Sequence, residues 1–185
     1  LSYYIDNHLL VNETMAKNSK LKTILVKNET SYNPGTPITP TGSANFIQVI
    51  SLELTPIVAD EVQRELVQPY LGNQPILLAN QRVELSATVE LTGSGTAGTA
   101  PKYSPLLESS GLNLASTASS TTYTPESSGF GSCTIWCNYD GVLHKITGAR
   151  GTFTINLEVN QIPSITFNMI GLAGTITDNT LPTTT

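Results

Sequence analysis

The sequence predicts a mainly β protein, an antiparallel β-sandwich or barrel with one short flanking α-helix and long loops and arms. The polar part of the composition is largely Thr, Ser, Asn and Gly, which favours strands and turns over exposed helices. Residues 82–92 and 152–159 alternate between apolar and polar side chains, as half-buried strands do. Between two β-rich runs stands only Asp140-Gly141, and this dipeptide accepts the positive φ of a hairpin turn.

Length and charge limit the classes of protein that this chain can represent. The 185 residues suffice for one substantial core, so we predict one domain at 21–175, an N-terminal arm at 1–20 and a C-terminal tail at 176–185. A formal charge of −5 provides no basic surface for phosphate backbones, so specific DNA binding is not expected. Without an apolar run of roughly 20 residues or a signal peptide, we expect no membrane partner and synthesis in a cytosol.

In chain order, the first half of the domain contains three predicted strands. The first covers residues 21–29 and precedes a loop rich in Pro and Gly at 33–42. Residues 46–54 form the second strand, with apolar side chains on both sides at its start. Residues 56–80 form either a short helix or a long excursion from the sheet. Residues 82–92 form the third strand, which we expect to pair with the alternating strand that follows later in the chain.

The second half begins with a predicted helix at residues 101–111, where Pro lies near the start and Gly follows the end. Its spacing of Tyr103, Leu106 and Leu107 gives one apolar face, which we expect to lie against the sandwich. A Ser/Thr-rich loop and a short strand at residues 121–124 follow.

Residues 132–171 predict an antiparallel meander of four strands with one solvent-exposed face. Asp140-Gly141 connects the first two strands. Residues 148–151, Gly-Ala-Arg-Gly, are predicted to separate the second strand from the third, at 152–159. The fourth strand carries Ile165, Phe167 and Met169 on one face.

A Gly-rich segment at residues 93–98 matches the pattern G-x-G-x-x-G of dinucleotide-binding loops. Such a loop should open a helix directly and be followed about 20 residues later by an acidic residue. Here the predicted helix begins only at Pro101, and residues 112–120 contain no Asp or Glu. We therefore interpret the segment as a flexible loop and predict no bound cofactor.

No other pattern predicts catalysis. His8 and His144 are the only histidines, and with Cys133 and Cys137 they form no spacing typical of a zinc site. The two cysteines are four residues apart on one strand, about 13 Å by strand rise, which is too far for a disulfide. We predict two buried thiols, no metal and no enzymatic activity.

Several segments together resemble the tail tube (major tail) proteins of long, non-contractile-tailed bacteriophages. The likeness is carried by TAGTAP-x-YSPLL, DGVLHKITGARGT and IP-x-I-x-F-x-MIGL, and by ADEVQRELVQPYLG and NETSYNPGTPITPTGSAN nearer the start. It extends over residues 15–181. The resemblance implies a structural virion protein whose six copies close a ring, with rings stacked into a tube for genome ejection.

The resemblance also implies partners and a location. The partners are further copies of the chain, a tail terminator, a tape measure protein and distal tail proteins, with DNA passing through unbound; the location is the virion tail, assembled in the bacterial cytoplasm. Two alternatives remain, another tail component such as a terminator, and a monomeric β-sandwich that binds a ligand or receptor.

The polar faces of two strands are the candidates for lining the bore. Pattern alone equally favours ordinary solvated outer faces, and the resemblance favours the bore. The predicted lumen-facing residues are Glu84, Ser86, Thr88, Glu90, Thr152, Thr154, Asn156 and Glu158.

Overall fold

The computed structural model describes residues 20–34, 36, 38–64, 67, 69, 72 and 75–184. In this part of the chain, strands predominate and the two helices are short, which confirms the predicted fold class. The strands are β1 (Lys22–Asn28), β2 (Phe46–Ile47), β3 (Ser51–Val62), β4 (Leu77–Glu90), β5 (Leu112–Ser116), β6 (Thr121–Pro125), β7 (Cys133–Tyr139), β8 (Val142–Asn156), β9 (Ser164–Ala173) and β10 (Thr177–Asp178). The helices are α1 (Gly42–Asn45) and α2 (Ser104–Glu108).

One antiparallel sheet contains most of the strands, in the order β2-β1-β7-β8-β9-β4-β3, with β10 added to β8. The two ends of this order, β2 and β3, are joined by residues 48–50 alone, so the sheet must curve until its edges approach each other. Accordingly, Lys22 Nζ of β1 donates a 3.4 Å hydrogen bond to the carbonyl oxygen of Leu52 in β3. The sheet therefore encloses its core as a barrel does.

The core lies on the concave side of this sheet and is covered at one flank by α2. Phe167 of β9 is fully buried, and the ring of Tyr103 lies with its centroid 6.3 Å from that of Phe167. Leu106 and Leu107 of α2 are buried in the same cluster, as the predicted apolar helix face requires. Pro105 occupies the first turn of α2, where a missing backbone N–H costs no helical hydrogen bond.

The predicted single strand at residues 46–54 is wrong. Its first part is β2, which pairs with β1, and its second part belongs to β3, which pairs with β4. The chain crosses between opposite edges of the sheet at residues 48–50, and Ile50 is exposed there. Apolar residues on both faces therefore marked this crossing rather than a strand covered on both sides.

Of residues 56–80, predicted as a short helix or a long excursion, 56–62 and 77–80 are strand, in β3 and β4 respectively, and part of the remainder lies outside the described residues. The outer parts of these two strands pair as an extended hairpin, and the described residues from Ile57 to Arg82 are called the arm below. Register shifts interrupt β3 between Thr55 and Val58 and between Val58 and Asp60. Such bulges bend a hairpin, so the arm departs from the direction of the main sheet.

The predicted break at residues 148–151 is a β-bulge inside one long strand. β8 runs through it: β9 pairs with β8 on both sides of the bulge, with a register shift between Thr147 and Arg150, and the pairing of β8 with β7 ends at Ala149. Gly148 has a φ of 60°, which glycine adopts at little cost. The predicted pairing of residues 82–92 with 152–159 is wrong as well, because β9 lies between β4 and β8.

Two further short elements lie outside the predicted strands. β5, within the predicted Ser/Thr-rich loop, pairs with β6 as a separate hairpin. β10, within the predicted C-terminal tail, pairs with β8 through Thr177 and Leu143. The domain boundaries themselves stay a prediction. Among the described residues, no helix has the length and apolar character needed to cross a bilayer.

Candidate functional site

Four neighbouring strands, β3, β4, β9 and β8, bring the predicted lumen residues onto one face. The pairing register aligns them in rows across the sheet: Ser51, Thr88, Thr166 and Thr154 form one row, and Glu53, Ser86, Asn168 and Thr152 form the next. Glu90, Ser164 and Asn156 form a third. These eleven side chains are called the polar face below.

Within two rows of the polar face, a side-chain hydrogen bond joins β4 to β9. The hydroxyl oxygens of Thr88 and Thr166 are 3.0 Å apart, and Ser86 Oγ donates to Asn168 Oδ1 at 3.0 Å. Cross-strand pairs of this kind stabilise a sheet and fix its register. The opposite side of the same strands is buried in the core, with Leu85 and Ala87 of β4 as examples.

The structure thus unites seven of the eight predicted lumen residues on one sheet region, although the two strands that carry them are not neighbours. Glu84 lies beside Ser86, one row nearer the arm, whereas Glu158 follows the end of β8 at Asn156. The contribution of β9 to this face was not predicted from the sequence. Alternation in residues 164–168 already placed Thr166 and Asn168 on a polar side, but the order of the strands was needed to locate that side.

Two arginines lie near Glu84, one beside it on β4 and one in its row of the sheet. Arg82 Nε donates to Glu84 Oε1 at 2.9 Å, and its Nη1 lies 3.6 Å from Asp60 Oδ1. Hydrogen bonding to Glu84, the largest contribution, raises the pKa of Arg82. Asp60 also accepts a hydrogen bond from Asn80 Nδ2 at 3.1 Å, so this cluster ties the two strands of the arm together at its base. Arg150 lies in the same row, opposite Ile170 of β9.

Apolar side chains are exposed at both ends of this four-stranded region. On the arm they include Ile57, Val62, Ile76, Leu77 and Leu78; at the other end they include Leu91, Ile155, Leu157, Val159 and Ile162. Exposed apolar groups gathered in patches are typical of surfaces that bind other proteins.

Asp140 and Gly141 connect β7 to β8, and both have positive φ, 43° and 90°. The backbone N–H of Gly141 donates to Asn138 Oδ1 at 3.2 Å. Asn138 Nδ2 in turn donates to the carbonyl oxygens of Asn179 and Thr180, both at 3.3 Å. The turn therefore also positions the C-terminal segment.

Glu29 is the most heavily hydrogen-bonded carboxylate of the described chain. It accepts hydrogen bonds from Ser132 Oγ, Thr134 Oγ1 and the backbone N–H groups of Gly148 and Asn33, at 2.6 to 3.0 Å. Burial alone would raise the pKa of Glu29, but these hydrogen bonds to the charged form together outweigh burial, so the pKa lies below the ordinary value of a glutamate. The bonds join the loop after β1 to the start of β7 and to Gly148 in β8.

The other candidates from the sequence are not arranged for chemistry. In the Gly-rich segment, Ser94 Oγ donates to the carbonyl oxygens of Thr96 and Thr99 in its own loop, and α2 begins only at Ser104. β4, which precedes this segment, is antiparallel to both its neighbours, unlike the strand of a dinucleotide-binding unit. The segment is therefore a loop of turns.

Both cysteines are buried, and burial raises the pKa of the Cys133 thiol to about 12 and raises that of Cys137 as well. His144 of β8 packs edge-on against the ring of Tyr139, with the ring centroids 5.9 Å apart, and His8 lies outside the described residues. Among the described residues, no three Asp, Glu, His or Cys side chains converge on a possible metal site.

Comparison with known families decides the class of the protein. The profile of the family described as phage tail tube protein matches residues 19–185. The chain belongs to the phage tail tube protein family. Because this family is structural, the prediction that the chain is not an enzyme is confirmed, and the phage tail tube protein is a component of the virion tail.

Two solved structures are similar to this phage tail tube protein. A chain of the PVC sheath–tube complex, an extracellular contractile injection system in its extended state, aligns with a TM-score of 0.53 and 8% identity, over 91% of this chain and 95% of that one. The anti-feeding prophage cap, the AFP tube terminating cap, aligns with a TM-score of 0.49 and 11% identity, over 84% and 88%. The first similarity shows a shared fold. No curated protein sequence matches the chain.

Proposed function

We propose that six copies of this tail tube protein close into a ring, that the rings stack into a tube, and that the genome passes through the tube during ejection. The observation that carries this proposal is the four-stranded polar face with an unpaired strand at each side. Within the described chain, β3 pairs only with β4, and β8 beyond Gly151 pairs only with β9.

Unpaired strand edges are templates for pairing with another chain. In a ring, β3 of one copy would lie beside the second half of β8 in the next copy, so that the four strands continue from copy to copy. Barrels of about 16–18 strands already enclose an aqueous channel, and six copies of four strands exceed that number. The core side of the sheet is covered within each copy, so the polar face is the side that would line the channel.

The charge of the polar face suits a conduit that releases DNA. Glu53 and Glu90 have no cationic partner among the described residues, whereas Arg82 is paired with Glu84 and Asp60. A ring of six copies would carry a formal charge of −30, six times the −5 of one chain. DNA phosphates bind clusters of Lys and Arg, so a surface with unpaired carboxylates does not retain them.

The exposed arm and its apolar side chains supply contacts between copies. We propose that the arm, together with residues 1–20, becomes ordered mainly against neighbouring subunits. The same expectation for residues 171–185 is wrong, because β9 continues to Ala173 and β10 pairs with β8 within the chain. Besides further copies of the chain, the terminator, tape measure and distal tail proteins are the expected partners, and assembly takes place in the bacterial cytoplasm. The long, non-contractile type of tail stays a prediction.

Size-exclusion chromatography and negative-stain imaging of the purified protein test the proposal. We expect rings and tubes with a central channel and sixfold symmetry. A protein that stays a monodisperse monomer at all concentrations would contradict it and favour the monomeric binding module instead.

Limited proteolysis tests the role of the arm in the same samples. Arg64 lies just beyond β3 and is exposed, so trypsin should cleave after it in the monomer and spare it in the tube. Arg82 serves as the internal control, because it lies within paired strand β4 and its side chain is held by Glu84 and by Asp60 of β3, so it should resist cleavage in both states. Equal cleavage after Arg64 in monomer and tube would exclude the arm from the contacts.

A further inference from the structure

Two arginines lie at the arm end of the polar face, and each guanidinium group is held by different means. Arg82 is paired with carboxylates. Arg150 has no ion pair within 4.0 Å among the described residues, although it lies in the same row of the sheet, with Ile170 between it and Glu84. An arginine in that position would be the group best suited to bind a phosphate, because its planar fork matches phosphate oxygens.

The side chain of Arg150 is directed away from the polar face. Nη2 donates to the carbonyl oxygen of Phe130 at 2.8 Å, and Nε donates to that of Gly131 at 3.1 Å. Residues 130–131 directly precede β7, which borders β8 on the side away from β9. The guanidinium is therefore fixed toward β7, not toward the rows of Thr, Ser, Asn and Glu.

An exposed aromatic ring completes the site around Arg150. The guanidinium carbon lies 4.6 Å from the centroid of the Tyr32 ring. Gly148 lies close to the same ring, since a Cβ atom there would come within 3.1 Å of Tyr32 Cε2. Glu29 holds the loop that carries Tyr32 and the bulge at Gly148 in place, because it accepts hydrogen bonds from the backbone N–H groups of Asn33 and Gly148. Tyr32 itself is 55% exposed, so burial in the core does not explain the position of its ring.

We propose that Tyr32 is a positioning residue that keeps the Arg150 guanidinium against residues 130–131, so that the bore offers DNA no free arginine. This inference rests on the proposed function, in which the polar face lines the bore. Guanidinium groups stack favourably on aromatic faces, and two backbone acceptors alone leave the side chain free to exchange with phosphate. Removal of the ring should therefore make Arg150 available to DNA.

The test uses tubes assembled from the full chain and a short, labelled DNA duplex that sediments with the tubes when bound. Tubes of Tyr32→Leu should retain roughly tenfold more duplex than parental tubes at low salt, and the excess should disappear as salt is raised. Tubes of the double variant Tyr32→Leu, Arg150→Gln should return to the parental level. The single variant Arg150→Gln should behave like the parent throughout.

The outcomes separate this inference from the function on which it rests. Tubes in which Glu53 and Glu90 are replaced by Lys serve as the reference for a cationic polar face. If these tubes bind the duplex and Tyr32→Leu tubes do not, or if Arg150→Gln fails to reverse the gain, the role of Tyr32 is overturned and the bore assignment stands. If neither variant binds DNA, the role of Tyr32 and the assignment of the polar face to the bore are both contradicted. Should Tyr32→Leu not assemble, Tyr32→Gln removes the same ring and is judged by the same criteria.

Discussion

The carboxylate of Glu29, directly after β1, accepts a hydrogen bond of 2.8 Å from the backbone N–H of Gly148, 119 residues later in the chain. Gly148 lies in the bulge of β8, where the register with β9 shifts between Thr147 and Arg150 and the pairing with β7 ends at Ala149. A bulge leaves backbone groups without their usual ladder partners, and here a charged side chain satisfies one of them. Glu29 thus stabilises the bulge.

Replacement of Glu29 by Gln should lower the free energy of unfolding by about 1–2 kcal/mol at neutral pH. The substitution removes the negative charge that strengthens four hydrogen bonds and gives two of the donors an amide group in its place. Urea denaturation measures the difference. Glu158→Gln is the matched control, because the Glu158 side chain makes no hydrogen bond or ion pair with the described residues, and it should leave the stability unchanged.

The difference in unfolding free energy between the parent and Glu29→Gln should depend on pH. The pKa of Glu29 is lower in the folded protein than in the unfolded chain. The stabilisation by its ionised carboxylate is therefore fully present above the pKa of the unfolded chain, and it decreases as the pH falls through the pKa of the folded protein. The difference in unfolding free energy between parent and Glu29→Gln should therefore shrink progressively below pH 4.5. A difference that stays constant from pH 7 to pH 3 would show that the ionised carboxylate is not the stabilising species.

Gly141→Val should destabilise the protein by about 1–2 kcal/mol, because a β-branched residue is strained at a positive φ. A Cβ atom at Gly141 would have its nearest neighbour, the carbonyl oxygen of Asn179, 4.0 Å away, so the cost is conformational and not steric. The control is Gly93→Val, at a glycine outside the left-handed region with open space around it. Thermal unfolding and tube assembly are the measurements; a parental melting temperature would contradict a role for this turn in fixing strand register.

How far the sequence predicted the fold depends on the kind of signal. Alternation identified which residues of β4 and β9 face the core, because the period of two is a property of each strand alone. Alternation does not state which strand lies next to which, so β4 was paired with the wrong partner. Pairing of β4 with β9 depends on the path of the whole chain.

The glycines of residues 148–151 led to a second wrong prediction, a break between two strands. The Gly-Ala-Arg-Gly segment carries the same residues as a turn, yet its glycines serve a bulge in a continuous strand. The local sequence is compatible with both, and the pairing of β8 with two different partners decides between them. The polar face, likewise, could be anticipated strand by strand, but not the tethering of Arg150 by Tyr32, which lies far from it in the sequence.

Cys133 and Cys137 should resist alkylation in the folded protein. Both are buried, and burial raises the pKa of each thiol, so little thiolate exists at pH 8 and none is accessible. Iodoacetamide followed by mass spectrometry should find both unmodified in buffer and both modified in urea. Rapid modification of either cysteine without denaturant would show that β7 opens locally or is packed differently.

Reversing charge on the polar face should slow genome ejection without preventing tube assembly. The informative substitutions are Glu53→Lys and Glu90→Lys, combined in one chain. Glu84 is left unchanged, because a lysine there would face Arg82 and disturb the base of the arm. Each altered ring would present a band of cations to the passing phosphates, which bind such groups strongly at low salt.

The measurement is the rate of DNA release from phage particles that carry the altered tubes, at increasing salt. We expect slowed or arrested release that recovers as salt screens the added charges. A second pair of substitutions, Glu126→Lys and Asp178→Lys, changes the net charge equally at positions outside the polar face and should leave the rate unchanged. The control is necessary because it separates the charge of the bore from the total charge of the tube. If intact tubes with lysines at 53 and 90 release DNA at the parental rate, the polar face does not line the bore and is a solvated outer surface.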